Sequence, residues 1–408
     1  MIETRTNWRS WVTPKLLHSA SVHRWYAFPH SFTGELVSAL IDEWGLTDAD
    51  CVLDPFVGAG TTLLAAKAKG IPAQGCDLSP FAVFVSNTKI RDYSIGRLEC
   101  LWQDLSYVLR KLPLPRRNVK FPELVEKALP QNILGTFVSI DEAIGELHTN
   151  RNYMDFFRLA LLAILPKYSR AEATGGWLKW TTKHTNSKSI TTVFADRVKM
   201  MLNDVRLCET SCGDRWKATK EDARRLSGSN ESISGIITSP PYPNRHDYTR
   251  VFGVELMFGF LSWEQTRALR YQSIQSHPEA RPERPSFEDY SPPKKLEVIL
   301  SKMQTAKLDT KILHMLRGYF TDMHICLREC TRLLKGGGRI AFVVGNAQYR
   351  GCRLLVDELI AEIGTTAGLK LDKILAIRFR GNSAQQMGEF GRMPSRESVV
   401  IFQKPGTP

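Results

Sequence analysis

Residues 54–62 read Asp54-Pro55-Phe56-Val57-Gly58-Ala59-Gly60-Thr61-Thr62, set between the short apolar run Cys51-Val52-Leu53 and a helix-forming stretch, TTLLAAKAK, over 61–69. The apolar run predicts a buried strand, and the second stretch a helix that Gly70 stops. Ile71 to Cys76 predicts another strand, closed by Asp77. Strand, glycine turn, helix and strand form the opening βαβ unit of a doubly wound, mostly parallel α/β sheet of Rossmann-like type. Glycines at such a turn let the backbone approach a ligand without a Cβ in the way. The helix N-terminus adds free N–H groups and a partial positive charge. Only GxG is present here, without the third glycine of a dinucleotide fingerprint or the Gly-Lys-Ser/Thr of a P-loop. The turn therefore favours a zwitterionic ligand over a polyphosphate. Asp77 ends the next strand, where an acidic side chain reaches the ribose diol of an adenosine-bearing cofactor.

Outward from this unit, GELVSALIDEW over 34–44 has helical apolar spacing. From 91 to 212 the spacing stays helical and strand signals are weak. Residues 151–220 carry thirteen Lys and Arg against six Asp and Glu, which reads as a basic, largely helical insertion. Sheet signals return at Ile233 to Thr238. Residues 262–300 are polar, rich in Arg and Pro and without periodicity, and predict one long loop of a length usually tied to function. A helix follows over 309–334, then strands at Arg339–Val344, Ile374–Arg380 and Ser398–Phe402. The expected organisation is a catalytic domain of 1–90 and 213–408, interrupted by the insertion 91–212.

The second chemical signal is Ser239-Pro240-Pro241-Tyr242, directly after the apolar strand. Two prolines fix φ and cannot continue a ladder, so they make a rigid bend that can aim a carbonyl. The exocyclic amine of cytosine or adenine has its lone pair conjugated into the ring. It becomes nucleophilic when its N–H groups donate to acceptors that draw the nitrogen toward tetrahedral geometry. The Ser239 hydroxyl and the Pro240 carbonyl are such acceptors, and Tyr242 offers a flat face for an extruded base. Ser291-Pro292-Pro293-Lys294 repeats the S-P-P but lacks the aromatic residue and the preceding strand, so it reads as loop.

Together these motifs resemble the amino-methyltransferases of DNA. DPFVGAGTT is similar to that family's cofactor motif. TSPPYPNRHDY is similar to its catalytic motif, in the serine form typical of cytosine-N4 enzymes. Tyr26-Ala27-Phe28-Pro29-His30-Ser31-Phe32 resembles the segment that cradles the cofactor, and Lys220-Glu221-Asp222-Ala223-Arg224 the one that meets its adenine. LLKGGGRIAFVVGN and ESVVIFQK resemble the family's later strands. The likeness spans roughly residues 20–90 and 215–405. It implies S-adenosylmethionine as cofactor, held by Phe28, Asp54, Pro55, Phe56, Gly58, Gly60, Thr61, Thr62, Asp77 and Asp222. It implies Ser239, Pro240, Pro241 and Tyr242 as the catalytic set. The substrate implied is double-stranded DNA, in a restriction–modification or related system with an endonuclease that acts separately. Two departures concern sequence readout more than the reaction: the insertion lengthens the spacing between the motifs, and the cofactor motif comes first.

Bulk properties agree. A formal charge of +13 and a pI near 9.4 suit a polyanion, since each cation that neutralises a phosphate releases a counterion. The first residues, MIETRTNWRSW, hold no apolar run, and no stretch nears the ~18 apolar residues of a membrane span. Eight cysteines without a dense framework suggest reduced thiols and a cytoplasmic, nucleoid-associated protein. No CxxC pair accompanies Cys326, Cys330 and His324, so no metal is expected. For DNA contact the loop offers Arg267, Arg270, Arg281 and Arg284, suited to guanine edges. The insertion offers Trp177, Lys179, Trp180, Lys183 and His184, suited to phosphates and stacking. A cytosine-C5 mechanism needs a thiolate, usually after proline, and no cysteine here follows a proline. Adenine N6 stays open, because the same acceptors serve it. An RNA enzyme acting on guanosine N2, or a non-catalytic DNA-binding protein on this fold, are the readings outside that class.

Overall fold

The computed structural model describes residues 1–111, 120–174, 177–181, 188–208, 213–284, 290–381, 388–389, 391 and 393–406. Eight strands form one sheet: β1 (Ile2–Thr4), β2 (Val52–Asp54), β3 (Ala73–Asp77), β6 (Trp216–Lys220), β7 (Ile233–Thr238), β8 (Leu334–Gly345), β11 (Lys370–Arg380) and β12 (Ser395–Gln403). Two small hairpins lie outside it, β4 (Ala171–Thr174) with β5 (Trp177–Trp180), and β9 (Ala347–Tyr349) with β10 (Cys352–Leu354). The sheet order is β1-β11-β12-β8-β7-β2-β3-β6. β12 runs antiparallel to both β11 and β8, and the other pairings in this sheet are parallel.

The glycine-turn unit folds as its sequence dictates. α1 (Gly34–Trp44) buries Leu36, Val37, Leu40 and Ile41 on one stripe and stops at Gly45, whose φ of 64° is the left-handed cap a glycine supplies. β2 is followed by α2 (Thr61–Ala68), β3 and α3 (Pro80–Ile90). β7 is buried along its whole length because it pairs with β2 on one side and β8 on the other. That central position matters for chemistry. The carboxyl ends of β2, β3 and β7 open on the same side of the sheet, where ligands of open α/β sheets bind.

Between α3 and β6 stand α4 (Ile95–Lys111), α5 (Glu123–Ala128), α6 (Gln131–Gly145), α7 (Arg151–Ile164), the β4–β5 hairpin and α8 (Ile190–Leu207). The excursion returns to the sheet beside β3, with Asp77 paired to Lys220. These helices do not build a core of their own. Phe137, Phe156, Phe157 and Phe194 belong to one apolar cluster with Trp25, Tyr26 and Phe28 of the N-terminal segment and Phe81 of α3. Phe252, between α9 (Tyr248–Val251) and α10 (Gly253–Gly259), joins the same cluster.

The stretch 262–300 departs from the expected single loop. It begins in α11 (Trp263–Gln272) and ends in α12 (Lys294–Thr305), ahead of α13 (Thr310–Leu333) and α14 (Val356–Thr366). α11 starts at a capping box: the Ser262 hydroxyl accepts from Gln265 N while the Gln265 side chain accepts from Ser262 N. Strands β1 and β6 were also unforeseen. Among the described residues no helix is long and apolar enough to cross a membrane.

Candidate active site

One cavity lies at the carboxyl ends of β2, β3 and β7, lined by residues from both sequence motifs. Gly58 (φ 47°) and Gly60 (φ 82°) make the turn that forms its floor. A Cβ on Gly60 would stand 3.0 Å from Ser86 Oγ and 3.2 Å from Ser86 Cα, so this glycine lets α2 approach α3. Gly58 is different: its Cβ would face the Phe28 ring at 3.6 Å, and both residues border the cavity.

Asp54 is 2% exposed and has no idle oxygen. Oδ1 accepts from Thr238 Oγ1 at 2.6 Å and Phe56 N at 3.1 Å, and Oδ2 from Thr62 Oγ1 at 2.7 Å. Burial pushes its carboxyl up to about 6 against these donors. Asp54 and Thr62 therefore tie β2, α2 and β7 together and shape the turn from behind; Ile237 O, 3.2 Å from Thr62 Oγ1, is a second, more distant acceptor for the same proton. Asp77 is half-buried and borders the cavity. It accepts from Gly58 N at 3.2 Å and Ser79 N at 2.9 Å, and burial raises it to about 6 as well. Asp222 arrives beside it because β6 pairs with β3, and it is held two-pronged by Arg224. Pro55, Phe56, Thr61 and Phe28 complete this side, with Phe28 stacked on Phe81 at 5.9 Å and against Phe252 at 4.3 Å. A turn that a Cβ would fill, a half-buried carboxylate and an apolar aromatic wall fit an adenosine-bearing, zwitterionic cofactor.

Ser239 and Pro241 border the same cavity, and Pro240 is buried behind them. Ser239 Oγ can donate its one proton to Val343 O of β8 at 3.1 Å or to the more distant Tyr242 Oη; with the proton on the nearer carbonyl, its lone pairs serve as acceptors. Tyr242 Oη lies 3.5 Å from Ser239 Oγ. The Tyr242 ring passes close over Gly345, where a Cβ would meet Cε2 at 3.0 Å, and burial pushes its hydroxyl up to about 12. Tyr242 is not among the residues bordering the cavity; the tyrosine that borders it is Tyr248, with His30 also in the lining. Thr249, Phe252, Leu256, Ser273 and Ile274 line the cavity and were not named from sequence, and Tyr248, which closes TSPPYPNRHDY, was given no role of its own. Tyr248 ends the quoted motif and Thr249 follows it directly, a proximity that could have flagged both.

The arginines expected to read DNA divide into two kinds. Arg267 and Arg281 are exposed, with Arg267 donating to Tyr271 Oη at 3.0 Å. Arg270 is instead bound to Asp247 at 2.8 Å and Thr249 Oγ1 at 3.0 Å, where it braces the start of α9. Arg284 is committed to the interior, donating to the fully buried Asp322 at 2.8 Å, to Gln275 Oε1 and to Gly318 O. Arg270 through Nε, and Arg284 through Nε and Nη2, are thus engaged by protein acceptors, which counts against the expectation that they contact bases. In the hairpin, Lys179 is exposed and Trp180 is 41% exposed, with Lys127 Nζ 4.8 Å from its ring centre; Trp177 pairs with Thr174. Gly175, Gly176, Lys183 and His184 lie outside the described residues. Among the described residues no group of three His, Cys, Asp or Glu is placed to hold a metal ion.

No family model matches the chain. It is 28% identical over 458 residues to the Type II methyltransferase M.BsoBI of Geobacillus stearothermophilus, covering 99% of this chain and 89% of that protein. It is 27% identical over 429 residues to the Type II methyltransferase M.AvaI of a Nostoc species, covering 94% and 86%. Among solved structures, a methyltransferase of Methanosarcina mazei aligns with a TM-score of 0.32 at 10% identity, covering 90% of this chain and 98% of that one. The mostly parallel sheet reversed only at β12 and the glycine turn facing an acidic strand end thus belong to a chain that is similar, over nearly its whole length, to Type II methyltransferases.

Proposed function

We propose that the protein methylates the N4 amino group of cytosine in double-stranded DNA. The Type II designation of both long relatives points to DNA, and the net charge of +13 suits a polyanion. One observation carries the reaction: Ser239 Oγ borders the cavity of Gly58 and Asp77 with Val343 O 3.1 Å away as the nearer acceptor for its proton, so that its lone pairs can accept. When bound, the cofactor supplies a methyl group on a sulfonium, which is a good leaving group without any metal. Gly58, Phe28, Asp77 and Asp222 hold it, with the Asp77 carboxylate as acceptor for ribose hydroxyls. Ser239 Oγ and the Pro240 carbonyl accept the two N–H bonds of the target amine and draw its lone pair out of conjugation. An extruded base has Tyr248 and His30 at the mouth and Tyr242 behind Ser239, and aromatic stacking is worth about 1–3 kcal/mol per base. Placement on one site also fits a companion endonuclease that the modification would block.

The test is nucleoside mass spectrometry after incubating the protein with labelled cofactor and duplex DNA. The expected product is N4-methylcytosine, absent with Ser239→Ala although that variant binds cofactor as the parent does. N6-methyladenine would move the assignment to adenine. Label in RNA alone, or none in either polymer, would overturn the reading.

A further inference from the structure

A second charged feature lies away from the cofactor cavity. A groove between the N-terminal turns and α8 is bordered by His18, Arg24, Lys167, Lys188 and Arg197, with Asp196 as the carboxylate among its lining residues. The cations are carried on braced backbone. Arg24 is fixed through Nε to Asp204 of α8 at 3.0 Å, and that carboxylate also accepts from Val22 N and Trp25 Nε1. Arg197 Nη1 donates to Arg24 O at 3.0 Å. Tyr168 Oη donates to Lys188 O at 2.8 Å, which pins the backbone just before α8. The like charges press on one another. Arg197 is lowered first by burial and then by Arg24; Lys167 is lowered by burial, then by Arg197 and Lys188, with Asp196 opposing.

The groove continues into a cavity bordered by Arg24, Arg197, Ala27 and Pro29. Phe28 and His30, the alternate residues of the same segment, border the cofactor cavity instead. The groove therefore reaches the back of the wall that shapes the active site.

We propose that this groove binds backbone phosphates of the DNA substrate and seats the duplex against the wall formed by residues 27–30. This rests on the reading of DNA as substrate given above. A phosphodiester brings negative charge to Lys167, Lys188 and Arg197, beside an Arg24 already held by Asp204. Held there, it places the polymer next to the mouth through which a base must enter.

Binding of a duplex oligonucleotide across a salt series tests this, with Lys167→Ala/Lys188→Ala set against Lys302→Ala/Lys311→Ala. All four lysines are exposed, and the control pair, on α12 and α13, removes equal charge. Loss of two phosphate contacts flattens the slope of log K against log salt by about 1.8. Between 50 and 200 mM salt the variant then loses about twelvefold less affinity than the parent. Cofactor affinity should be the same in all forms. If the groove variant matches the control pair in affinity and slope while the parent binds and methylates DNA, the groove proposal is overturned and the enzyme assignment stands. If the parent shows no salt-dependent duplex binding, both fall.

Discussion

Replacing Gly345 by alanine should slow methyl transfer without disturbing cofactor binding. Gly345 ends β8 opposite Glu397 of β12, two residues past the Val343 carbonyl that takes the Ser239 proton. An added Cβ would stand 3.0 Å from Tyr242 Cε2, 3.3 Å from Cδ2 and 3.7 Å from Arg380 Nη2. Carbon atoms in ordinary contact sit at about 3.5–4.0 Å, so the ring has to retreat by roughly 0.5 Å. Its hydroxyl is already 3.5 Å from Ser239 Oγ, so such a retreat shifts both ring and hydroxyl relative to the acceptor. A misplacement of about 1 Å in a reacting constellation costs on the order of a hundredfold, so half that distance costs about tenfold, or ~1.4 kcal/mol of barrier. Overpacking also lowers stability by about 1–3 kcal/mol. The assay is single-turnover transfer to duplex DNA at saturating cofactor, with calorimetric cofactor affinity and thermal unfolding measured alongside. A single-turnover rate equal to that of the parent, in a protein destabilised as described, would refute the idea that ring placement behind Ser239 governs the reaction.

Gly58→Val combines a β-branched residue at φ 47° with crowding against Phe28, and should lower cofactor affinity at least tenfold; unchanged affinity by calorimetry would remove the glycine turn from the cofactor site. Because Asp77 is raised to about 6 and accepts best when ionised, cofactor affinity should fall as pH drops below about 6, approaching tenfold per pH unit; a flat profile from pH 7 to 5 would contradict this. The folding linkage of the same carboxylate has the opposite sign: its folded value lies above the unfolded 3.8, so its contribution to stability is present at low pH and lost as pH rises through about 6, and Asp77→Asn should remove that slope from denaturant titrations. Arg284→Met leaves Asp322 with Arg224 and Gln275 N only, and should cost about 2–4 kcal/mol of stability without relaxing sequence preference; relaxed preference at full stability would restore Arg284 as a base reader.

The parts legible in sequence were those whose signal is local. α1 and β7 stand where their periodicity places them, since each buries a pattern that repeats within a few residues. The cofactor and catalytic motifs met at one cavity because both end strands of the same sheet. α11 was hidden because only Thr266 and Leu269 are buried on it, too few to print a helical stripe; its capping box, Ser262 to Gln265, was the available signal. β6 carried a readable alternation, with Trp216 and Ala218 inward and Lys217 outward, but over five residues at the sheet edge. The assignments of Arg270 and Arg284 went astray for a non-local reason. Their partners Asp247 and Asp322 are distant in sequence, and nothing near either arginine announces an acid that buries it.

The segment from Tyr26 to His30 links these observations. Phe28 and His30 shape the cofactor side, while Tyr26, Ala27 and Pro29 border the cavity that adjoins the cationic groove. Something must hold such a partition in register with the glycine turn. Lys89 does so from α3: its Nζ, on a residue 3% exposed, donates to Tyr26 O at 2.6 Å and to Ala59 O at 3.1 Å. Burial pushes this lysine down to about 7, so the free protein holds both protonation states near neutrality. The clamp survives the titration, because a neutral amine still has two N–H donors for two carbonyls, while an apolar replacement would leave both acceptors without that donor. The two carbonyls belong to the cofactor-cradling segment and to the residue between Gly58 and Gly60. One side chain thereby ties the cofactor-cradling segment to the glycine turn.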